Sequence, residues 1–487
     1  MAKRVGVIDI GSNSVRMVIY ERTSRYAFHL LHEEKSKVRI SENAYKHNGI
    51  LQEIPMQRTL DALQDFLSIA ASFKVRKTLC VATSALRDAP NKKDFLQKVK
   101  HKLQLKIKII DGEKEAYFGA ISCLNLLPSL SQALTIDIGG GSTEFSLIES
   151  QKISHTLSLN IGTVRLKELF FDKEDIEGAK VYIDKELEKL GNIDADTLVG
   201  IGGTFRAISS AILKRSNYPL NKLHAFSYNL TTFQEYLQAL LNTQENHQLT
   251  SLGIKSNRFD VIKPGALILQ RVLHKISIQN IITSGVGVRE GVYLADLLRN
   301  SKHRFPHNFN TSVKYLLDNH ITDKSFSNQL NKLTKKLFDL TYEYFGIEKK
   351  YRYELALAAK LYPIGSDIHF YSQNKHTYYM IQSALEYGFS HKNITLIATL
   401  TKYAKNKLPA DSHLQKYATL LPEYTTTKSL SFLLSLSIAL LSHRPRDIDF
   451  DLEFCDGVLY INGKGNYYLA KDAVKKLICE EKFEVRF

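Results

Sequence analysis

The sequence contains few cysteines and none in a metal-binding or disulfide pattern. Four occur among 487 residues, at Cys80, Cys123, Cys455 and Cys479. They are far apart and no two stand in C-x-x-C spacing, which argues against a zinc site and against a disulfide framework. This pattern is typical of a reduced protein, and we therefore expect a cytoplasmic location.

Long hydrophobic runs are also missing. The longest, Ser429–Leu441, is too short for a helix that crosses the roughly 30 Å hydrocarbon core of a bilayer. We expect it to form a buried core helix. The first residues, "MAKR", lead directly into a short strand without a secretory hydrophobic segment. The sequence therefore predicts no membrane association.

Acidic residues are outnumbered. The chain has 66 Lys and Arg against 50 Asp and Glu, a formal charge of +16. The excess is spread out, with +9 in residues 1–300 and +7 in residues 301–487. Such a balance favours an anionic partner. Charge alone does not distinguish a nucleic acid, a membrane surface and a polyphosphorylated substrate.

One motif occurs twice. The stretch "VGVIDIGSNSVRMVIYE" aligns with "ALTIDIGGGSTEFSLIE" at a constant offset of 128 residues. The matching pairs are Ile8/Ile136, Asp9/Asp137, Ile10/Ile138, Gly11/Gly139, Ser14/Ser142 and Glu21/Glu149. Each copy reads as strand, tight Gly/Ser/Asn turn and strand, because β-branched residues flank residues that favour turns. Two similar hairpins predict two similar domains.

The remaining pattern alternates between strands and helices up to about residue 300. Apolar spacing predicts a helix over Arg58–Val75, and a strand follows at Thr78–Thr83. Further elements are a helix near 93–105, a helix from about Glu113, and strand–glycine–helix units at 197–212 and 280–298. The polar segment 301–310 is a candidate linker, the chain beyond it is mainly helical, and the last 45 residues suggest a small strand-bearing cap.

The turns of the two hairpins have the composition of a phosphate site. Successive backbone N–H groups in a glycine-rich turn form a concave nest that binds anions. The candidate phosphate-binding residues are Gly11, Ser12, Asn13, Ser14, Gly139, Gly140, Gly141 and Ser142. A carboxylate beside phosphate is repulsive unless it holds Mg²⁺, which makes Asp137 and Asp9 candidate metal ligands. The alternative is two tight hairpin turns, each with an aspartate cap.

Four motifs in order give a family resemblance. "DIGSNSVRMVIYE", "VATSALRDAPN", "IIDGEKEA" with "IDIGGGSTE", and "SGVGVREGV" resemble the Ppx/GppA phosphatases, which are exopolyphosphatases and guanosine pentaphosphate phosphohydrolases. The resemblance implies an α/β fold with two duplicated actin-like, ribonuclease H-like domains and a mainly α-helical, degenerate HD-like C-terminal domain. The expected boundaries are 1–121, 122–300 and 311–487.

The resemblance also implies roles for single residues. It identifies Glu115 as the general base that deprotonates the attacking water, and Arg87 as a phosphate-binding arginine. Glu144 matches an acidic position, either as a metal ligand or as a residue that orients the glycine loop. Gly203 and Thr204 lie in a loop that would cradle a nucleoside or close the domain. On spacing alone, Glu115 reads more readily as a solvated acid in a first helical turn. The alternative for Arg87 is a surface salt bridge with Asp88 or Glu113.

The chain departs from the family pattern at several positions. Lys114 replaces the first of two adjacent glutamates, and we expect it to point to solvent. Tyr362–Pro363 and Ala404 stand where metal-binding HD proteins have ligands, so no second metal centre is expected. Arg289 and Glu290, in "REG", are a family signature for which a structural role is expected. The C-terminal region is therefore predicted to be a basic wall for substrate and a surface for a homodimer.

These observations predict a Mg²⁺-dependent phosphoanhydride hydrolase. It would remove the terminal phosphate from inorganic polyphosphate, from pppGpp to give ppGpp, or from both, with no specific nucleic-acid partner. The alternatives are a non-catalytic regulator that binds polyphosphate or the alarmone, and an actin-like ATPase or kinase. Transfer of phosphate from ATP to a sugar would support the last of these.

Overall fold

The computed structural model describes residues 3–321, 323–405, 407–479 and 482–487. The chain forms two compact units, Met1–Phe309 and Asn310–Phe487. The first unit contains two sheets. The strands of the first sheet are β1 Arg4–Ile10, β2 Val15–Arg22, β3 Phe28–Ser36, β4 Lys77–Ala82 and β5 Ile107–Ile109. Those of the second are β6 Gln132–Ile138, β7 Thr143–Glu149, β8 Lys152–Leu159, β9 Thr197–Ile201, β10 Phe226–Asn229 and β11 Asn280–Thr283.

The two sheets have the same topology. The first has the order β3-β2-β1-β4-β5 and the second the order β8-β7-β6-β9-β11, with β10 added at the edge. In both, the first three strands are an antiparallel meander and the next two run parallel to the first. The register is also the same, since Asp9 pairs with Arg16 and Asp137 pairs with Glu144. The predicted fold class, with two duplicated actin-like α/β domains, is confirmed.

Helices cover both sheets of the first unit. They are α1 Glu53–Ser72, α2 Ser84–Asp88, α3 Lys92–Leu103, α4 Gly112–Leu126, α5 Thr163–Leu169, α6 Ile176–Leu187, α7 Gly202–Arg215, α8 Leu230–Leu241, α9 Asn246–Ser251, α10 Phe259–Lys275 and α11 Val288–Leu297. The predicted helix at Arg58–Val75 is α1, which begins five residues earlier. Pro55 is tolerated there because the first-turn N–H groups of a helix have no intrahelical partner.

Helix α4 connects the two sheets and is continuous through residues 121 and 122, where the sequence predicts a domain boundary. The candidate linker that follows α11 is attached to this helix. The Asn125 side chain donates to the His303 carbonyl at 2.9 Å and accepts from the Phe305 amide at 3.3 Å, and Tyr117 Oη lies 3.0 Å from His303 Nδ1. Polar side chains of α4 therefore hold this segment within the first unit.

The second unit is mainly helical, as predicted. Its helices are α12 Thr311–His320, α13 Lys324–Thr341, α14 Arg352–Leu361, α15 Gln373–Ala384, α16 His391–Tyr403, α17 Asp411–Lys416, α18 Tyr424–Leu440 and α19 Tyr468–Val474. A three-stranded sheet of β12 Phe450–Cys455, β13 Val458–Gly463 and β14 Glu484–Arg486 completes it. Helix α18 contains most of the hydrophobic run Ser429–Leu441 and is buried, as predicted. Its Leu430, Leu433 and Leu440 are fully inaccessible to solvent. Among the described residues, no helix combines the length and apolar character needed to cross a membrane.

Candidate functional site

The carboxyl ends of the parallel strands meet at one cleft in the first unit. In α/β sheets, ligands bind outside this edge, where loops and helix N-termini converge. Strands β1 and β6 bring Asp9 and Asp137 there, β4 is followed by Ser84, and β9 leads into Gly203. The cleft holds about 940 Å³ of open space. Predicted residues on its wall are Asp9, Gly11, Ser12, Asn13, Ser14, Glu115, Asp137, Gly139, Gly140, Glu144, Gly203 and Thr204.

The glycine loop of the β6–β7 hairpin is held by its carbonyl groups. The Thr163 amide donates to the Gly139 carbonyl at 3.0 Å, and the Val164 amide donates to the Gly140 carbonyl at 2.8 Å. Arg165 Nε donates to the Gly141 carbonyl at 2.8 Å. In a trans peptide the N–H lies opposite the preceding C=O. The N–H groups of residues 140–142 therefore point away from α5, as an anion nest requires.

The β1–β2 hairpin is built in the same way. Gly11 donates to the Ser14 carbonyl at 3.2 Å, as Gly139 donates to Ser142 at 2.9 Å in the other copy. The carbonyls of Ser12 and Asn13 accept from the amides of Ser41 and Arg39. Because these two carbonyls point toward residues 39 and 41, the N–H groups of Asn13 and Ser14 point in the opposite direction. Two turns with the backbone arrangement expected of an anion nest thus line one cleft.

Helix α7 supplies a third set of backbone donors. Gly202, at φ +80°, turns the chain from β9 into the helix, and Gly203 and Thr204 occupy its first turn on the cleft wall. The N-terminus of a helix attracts anions because its first N–H groups have no intrahelical partner. Space is tight there, since a Cβ on Gly203 would lie 2.5 Å from the Arg258 guanidinium.

Glu115 and Arg87 form a pair at one end of the cleft. Glu115 stands in the first turn of α4, capped by Asp111, and is 8% exposed. Arg87 Nη1 donates to Glu115 Oε2 at 2.9 Å, and Arg87 Nη2 donates to Ser142 Oγ at 3.3 Å. Burial and the nearby Glu144 carboxylate raise the pKa of Glu115 well above its usual value, while Arg87 acts in the opposite direction. At this end of the cleft the neutral form of Glu115 is therefore favoured more than it would be in water.

Asp137 and Glu144 face each other across strands β6 and β7. Burial raises the pKa of Asp137 to about 6, against the lowering effect of Arg206. Burial also raises the pKa of Glu144 to about 7, although Ser158 Oγ donates to Glu144 Oε1 at 2.8 Å. Directly opposed carboxylates repel one another, so a cation between them and a phosphate would relieve the repulsion.

Asp9 is the fourth carboxylate of the cleft. Burial raises its pKa, and its Oδ1 atom is buried without a hydrogen-bond partner among the described residues. Within the described ranges, no group of three or more His, Cys, Asp or Glu side chains is arranged as a preformed metal cage. Mg²⁺ usually keeps several waters and binds through one or two carboxylates together with substrate phosphates. The carboxylates present fit that mode.

Several cationic residues of the cleft were not predicted as site residues. They are Arg16, Lys35, Arg206, Arg258 and Arg289. Burial, with Arg289 and Arg206 nearby, lowers the pKa of Arg16 to about 10, and burial with Arg16 nearby lowers the pKa of Lys35 to about 8. Arg289 is 8% exposed and its Nε atom has no partner among the described residues. Buried cations with spare hydrogen-bonding capacity are suited to a polyanion.

The sequence contained a signal for only some of these cations. The 128-residue offset places Arg16 at the position of Glu144, so the repeat identifies it. Arg289 belongs to a recognised motif and was expected to be structural, yet it lines the cleft. Its neighbour Glu290 accepts from Tyr20 Oη and from the Gly287 amide, which is a structural arrangement. Lys35 and Arg258 lie in segments without any motif.

The remaining predicted residues lie just behind the wall. Arg87 and Ser142 contact each other as described, and Gly141 packs so closely that a Cβ would lie 2.3 Å from Tyr45 Oη and 2.8 Å from Ser84 Oγ. Lys114 is exposed beside buried Glu115, as expected. The structure thus brings the predicted phosphate-binding, acidic and basic residues into one region, and the roles assigned to them remain predictions.

Known proteins are similar in sequence to this chain over part or most of its length. A phosphatase from Vibrio campbellii, guanosine-5'-triphosphate,3'-diphosphate pyrophosphatase, is 28% identical over 92% of this chain and 88% of its own. The bifunctional 3-dehydroquinate synthase/phosphatase of Fusobacterium nucleatum is 32% identical over 57% of this chain, and the match spans 44% of that relative. An exopolyphosphatase structure from Cytophaga hutchinsonii is 25% identical, with a TM-score of 0.57 over 62% of this chain and all of its own.

Family models cover most of the sequence. The model of the Ppx/GppA phosphatase family matches residues 18–300, and that of Ppx/GppA phosphatase domain III matches residues 310–469. The first match begins within β2 and includes the rest of the two sheets and most of the cleft lining, whereas β1, the turn at residues 11–14 and Arg16 precede it. The second match covers most of the helical unit. The predicted relationship is confirmed, and the chain belongs to the Ppx/GppA phosphatase family.

Proposed function

We propose that this phosphatase releases the terminal phosphate of a linear phosphoanhydride chain, with Glu115 as general base. The observation that carries the proposal is the buried Glu115–Arg87 pair beside two backbone anion nests. Hydrolysis of a phosphoanhydride requires a water opposite the leaving phosphate and stabilisation of charge on the phosphoryl oxygens. A carboxylate of raised pKa suits the first task, and N–H groups with a guanidinium suit the second.

In the proposed reaction, each group of residues in the cleft has its own role. Glu115 orients the attacking water and takes its proton, and Arg87 holds an oxygen of the terminal phosphate while keeping the Glu115 carboxylate in place. The nests of residues 11–14 and 139–142 bind the phosphate chain from two sides. Asp137, Glu144 and Asp9 would hold Mg²⁺, which supplies positive charge to the phosphate oxygens when it is bound. Fixed donors stabilise the transition state because they need no reorganisation during the reaction.

Inorganic polyphosphate is the first candidate substrate. Arg16, Lys35, Arg206, Arg258 and Arg289 supply charge for phosphates behind the reacting one. Among the described residues, the wall of the cleft contains no aromatic side chain on which a base could stack. The exopolyphosphatase from Cytophaga hutchinsonii, which has a similar structure, supports this assignment by its name.

Guanosine pentaphosphate, pppGpp, is the second candidate. The relative from Vibrio campbellii is named for this class of substrate and matches 92% of the chain. The first turn of α7, with Gly203 and Thr204, is the proposed place for the nucleoside. A guanosine bound there would be contacted by main-chain groups and by Arg258. We therefore expect the enzyme to select its substrate more by the phosphates than by the identity of the base.

The test is Mg²⁺-dependent phosphate release from long-chain polyphosphate and from pppGpp in parallel. We expect Glu115→Gln to lower turnover of both substrates by roughly 10²- to 10⁴-fold, the usual contribution of a general base. Glu113→Gln is the matched control, because Glu113 lies in the same helical turn but is exposed. Equal activity of the Glu115 variant and the native protein would refute the assigned base. Binding of both compounds without turnover by the native protein would favour a regulator instead.

A further inference from the structure

Arg165, in the first turn of α5, joins two parts of the site and has no role in the proposed reaction so far. Its Nε donates to the Gly141 carbonyl at 2.8 Å, and its Nη2 forms an ion pair with Asp88 Oδ2 at 3.0 Å. Its guanidinium also stacks on the Tyr45 ring, 4.6 Å from the centroid. The side chain is 15% exposed, so its position is restricted.

The hydrogen bond from Arg165 to the Gly141 carbonyl fixes the direction of one N–H group of the proposed phosphate nest, that of Ser142. Backbone amides of α5 already hold the carbonyls of Gly139 and Gly140, whereas the Gly141 carbonyl is held by the Arg165 side chain. The orientation of this peptide sets the direction of the Ser142 N–H. Ser142 also accepts from Arg87 through its hydroxyl. Arg165 thus fixes the residue at which the nest meets the phosphate-binding arginine.

The ion pair with Asp88 reaches the other sheet. Asp88 is the last residue of α2, which follows β4, and its neighbour Arg87 holds Glu115. Arg87 Nε lies 3.6 Å from Asp88 Oδ1, so one carboxylate contacts both arginines. A planar guanidinium with several fixed donors can satisfy a carbonyl and a carboxylate at once, which a lysine ammonium does less well.

We propose that Arg165 is a positioning residue that aligns the Gly141–Ser142 peptide with the Arg87–Glu115 pair. The alignment requires Asp88 within reach of Arg165, and the two side chains are already paired at 3.0 Å. The inference rests on the proposed function, because it assumes that residues 140–142 bind the reacting phosphate. The alternative is an ion pair that only stabilises the fold.

Kinetics of Arg165→Gln, Asp88→Asn and the double variant distinguish the two roles. We expect Arg165→Gln to lower kcat for polyphosphate by about 10- to 100-fold with KM changed less than about threefold, since misplacing a donor affects mainly the transition state. The double variant should be about as slow as Arg165→Gln, because Asp88→Asn mainly removes the ion pair with Arg165 and keeps a side-chain oxygen that can still face Arg87. Arg165→Lys should recover thermal stability but little of kcat. A rise in KM alone, or additive losses in the double variant, would overturn the proposal.

Arg271→Gln is the matched control. Arg271 forms a bidentate pair with Asp184 between α10 and α6, at 2.7 Å for Nε to Oδ1, and neither residue lines the cleft. The control should lose a surface ion pair and keep its kcat. A similar loss of kcat in this variant would show that general destabilisation explains the Arg165 result.

Hydrogen–deuterium exchange tests the anchoring without any turnover. The amides of Thr163 and Val164 donate to the glycine-loop carbonyls, so their exchange reports how firmly the loop is held. We expect faster exchange in the peptide that covers residues 160–166 in Arg165→Gln and unchanged exchange there in Arg271→Gln. Unchanged exchange in both variants would refute the anchoring role. If the native protein hydrolysed neither substrate, the proposed function would fail while this measurement still decided the role of Arg165.

Discussion

The two hairpins share a backbone design and differ in their side chains. Both have the same register, and in both the glycine amide donates to the serine carbonyl across the turn. In both, amides of another segment of the same chain donate to the loop carbonyls. At the position that faces the aspartate, however, the β1–β2 hairpin carries Arg16 and the β6–β7 hairpin carries Glu144. The duplicated backbone therefore presents the proposed phosphate-binding N–H groups twice, while the residue opposite the aspartate is a cation in one hairpin and a carboxylate in the other.

The turns differ because the hairpins approach each other closely. The first has Ser12 and Asn13 where the second has Gly140 and Gly141. A Cβ on Gly140 would lie 2.7 Å from Ser12 Cβ, a distance that real Cβ atoms do not reach without a shift. Glycine is required in one copy because the other copy has a side chain at the equivalent place.

Among the changes that test the contrast between the hairpins, removing the difference in charge should have the largest effect. Glu144→Gln should lower kcat/KM by roughly 10²- to 10³-fold, because it removes a proposed Mg²⁺ ligand beside the reacting phosphate. The equivalent change, Arg16→Gln, should cost about tenfold and mainly raise KM, because it removes one charge that attracts the chain. Steady-state kinetics with polyphosphate measure both. Equal losses in kcat for the two variants would contradict the division of roles.

Exchanging the turn residues should have the next largest effect. Gly140→Ser gives the second hairpin the residue of the first, and the clash with Ser12 should lower kcat about 10- to 100-fold by displacing the nest. Ser12→Gly should cost only a few-fold, since it removes one hydroxyl contact, 3.1 Å from Ser84 Oγ. The double variant should recover most of the lost activity. No recovery would mean that Val164, the other close neighbour, causes the defect.

A smaller effect concerns the pH dependence of kcat/KM. Glu115 must be deprotonated to act as a base, and Arg87 lowers its pKa whereas Glu144 raises it. Arg87→Gln should therefore raise the pKa further and move the ascending limb to higher pH. Glu144→Gln should move it to lower pH. The measurement is a profile of kcat/KM between pH 5 and 9, and a limb that moves in the same direction in both variants would refute the assigned interactions.

The smallest expected effect is on stability without Mg²⁺. The pKa of Glu144 is raised to about 7, so the folded state favours its neutral form and loses stability as the pH rises toward and through 7. Glu144→Gln resembles the neutral form and should have a Tm a few degrees above the native protein at pH 8, with little difference at pH 5. Arg16→Gln should show no such change between these pH values, since Arg16 stays charged in both. Thermal unfolding in EDTA measures this, and equal shifts at pH 5 and pH 8 would contradict it.

The repeat made much of the fold predictable from the sequence. Because Asp9 and Asp137 follow apolar strand residues at a fixed offset, two equivalent hairpins and their meeting at one edge could be inferred. The same offset pointed to Arg16, although only identical pairs were used. The start of α1 at Glu53 was missed because Pro55 reads as a helix breaker unless it stands in the first turn.

Tertiary contacts determine what the sequence did not show. Lys35, at the end of β3, and Arg258, before α10, are separated by more than 200 residues and reach the cleft only through the packing of two sheets. Arg165 was missed for a related reason, since its proposed role depends on contacts with Gly141 and Asp88, which lie 24 and 77 residues earlier in the sequence. Local patterns report strands and turns, and they carry no information on which distant side chains converge.

Both hairpin turns are held by hydrogen bonds between main-chain groups, and this affects how the proposed site can evolve. Amide groups of residues 39, 41, 163 and 164 hold the loops, and substitutions of those side chains preserve the amides that bind. After an ancestral duplication, each copy could keep its binding backbone while mutation changed the residue opposite its aspartate. The present contrast between Arg16 and Glu144 fits such a history, in which selection acted on charge while the geometry was inherited.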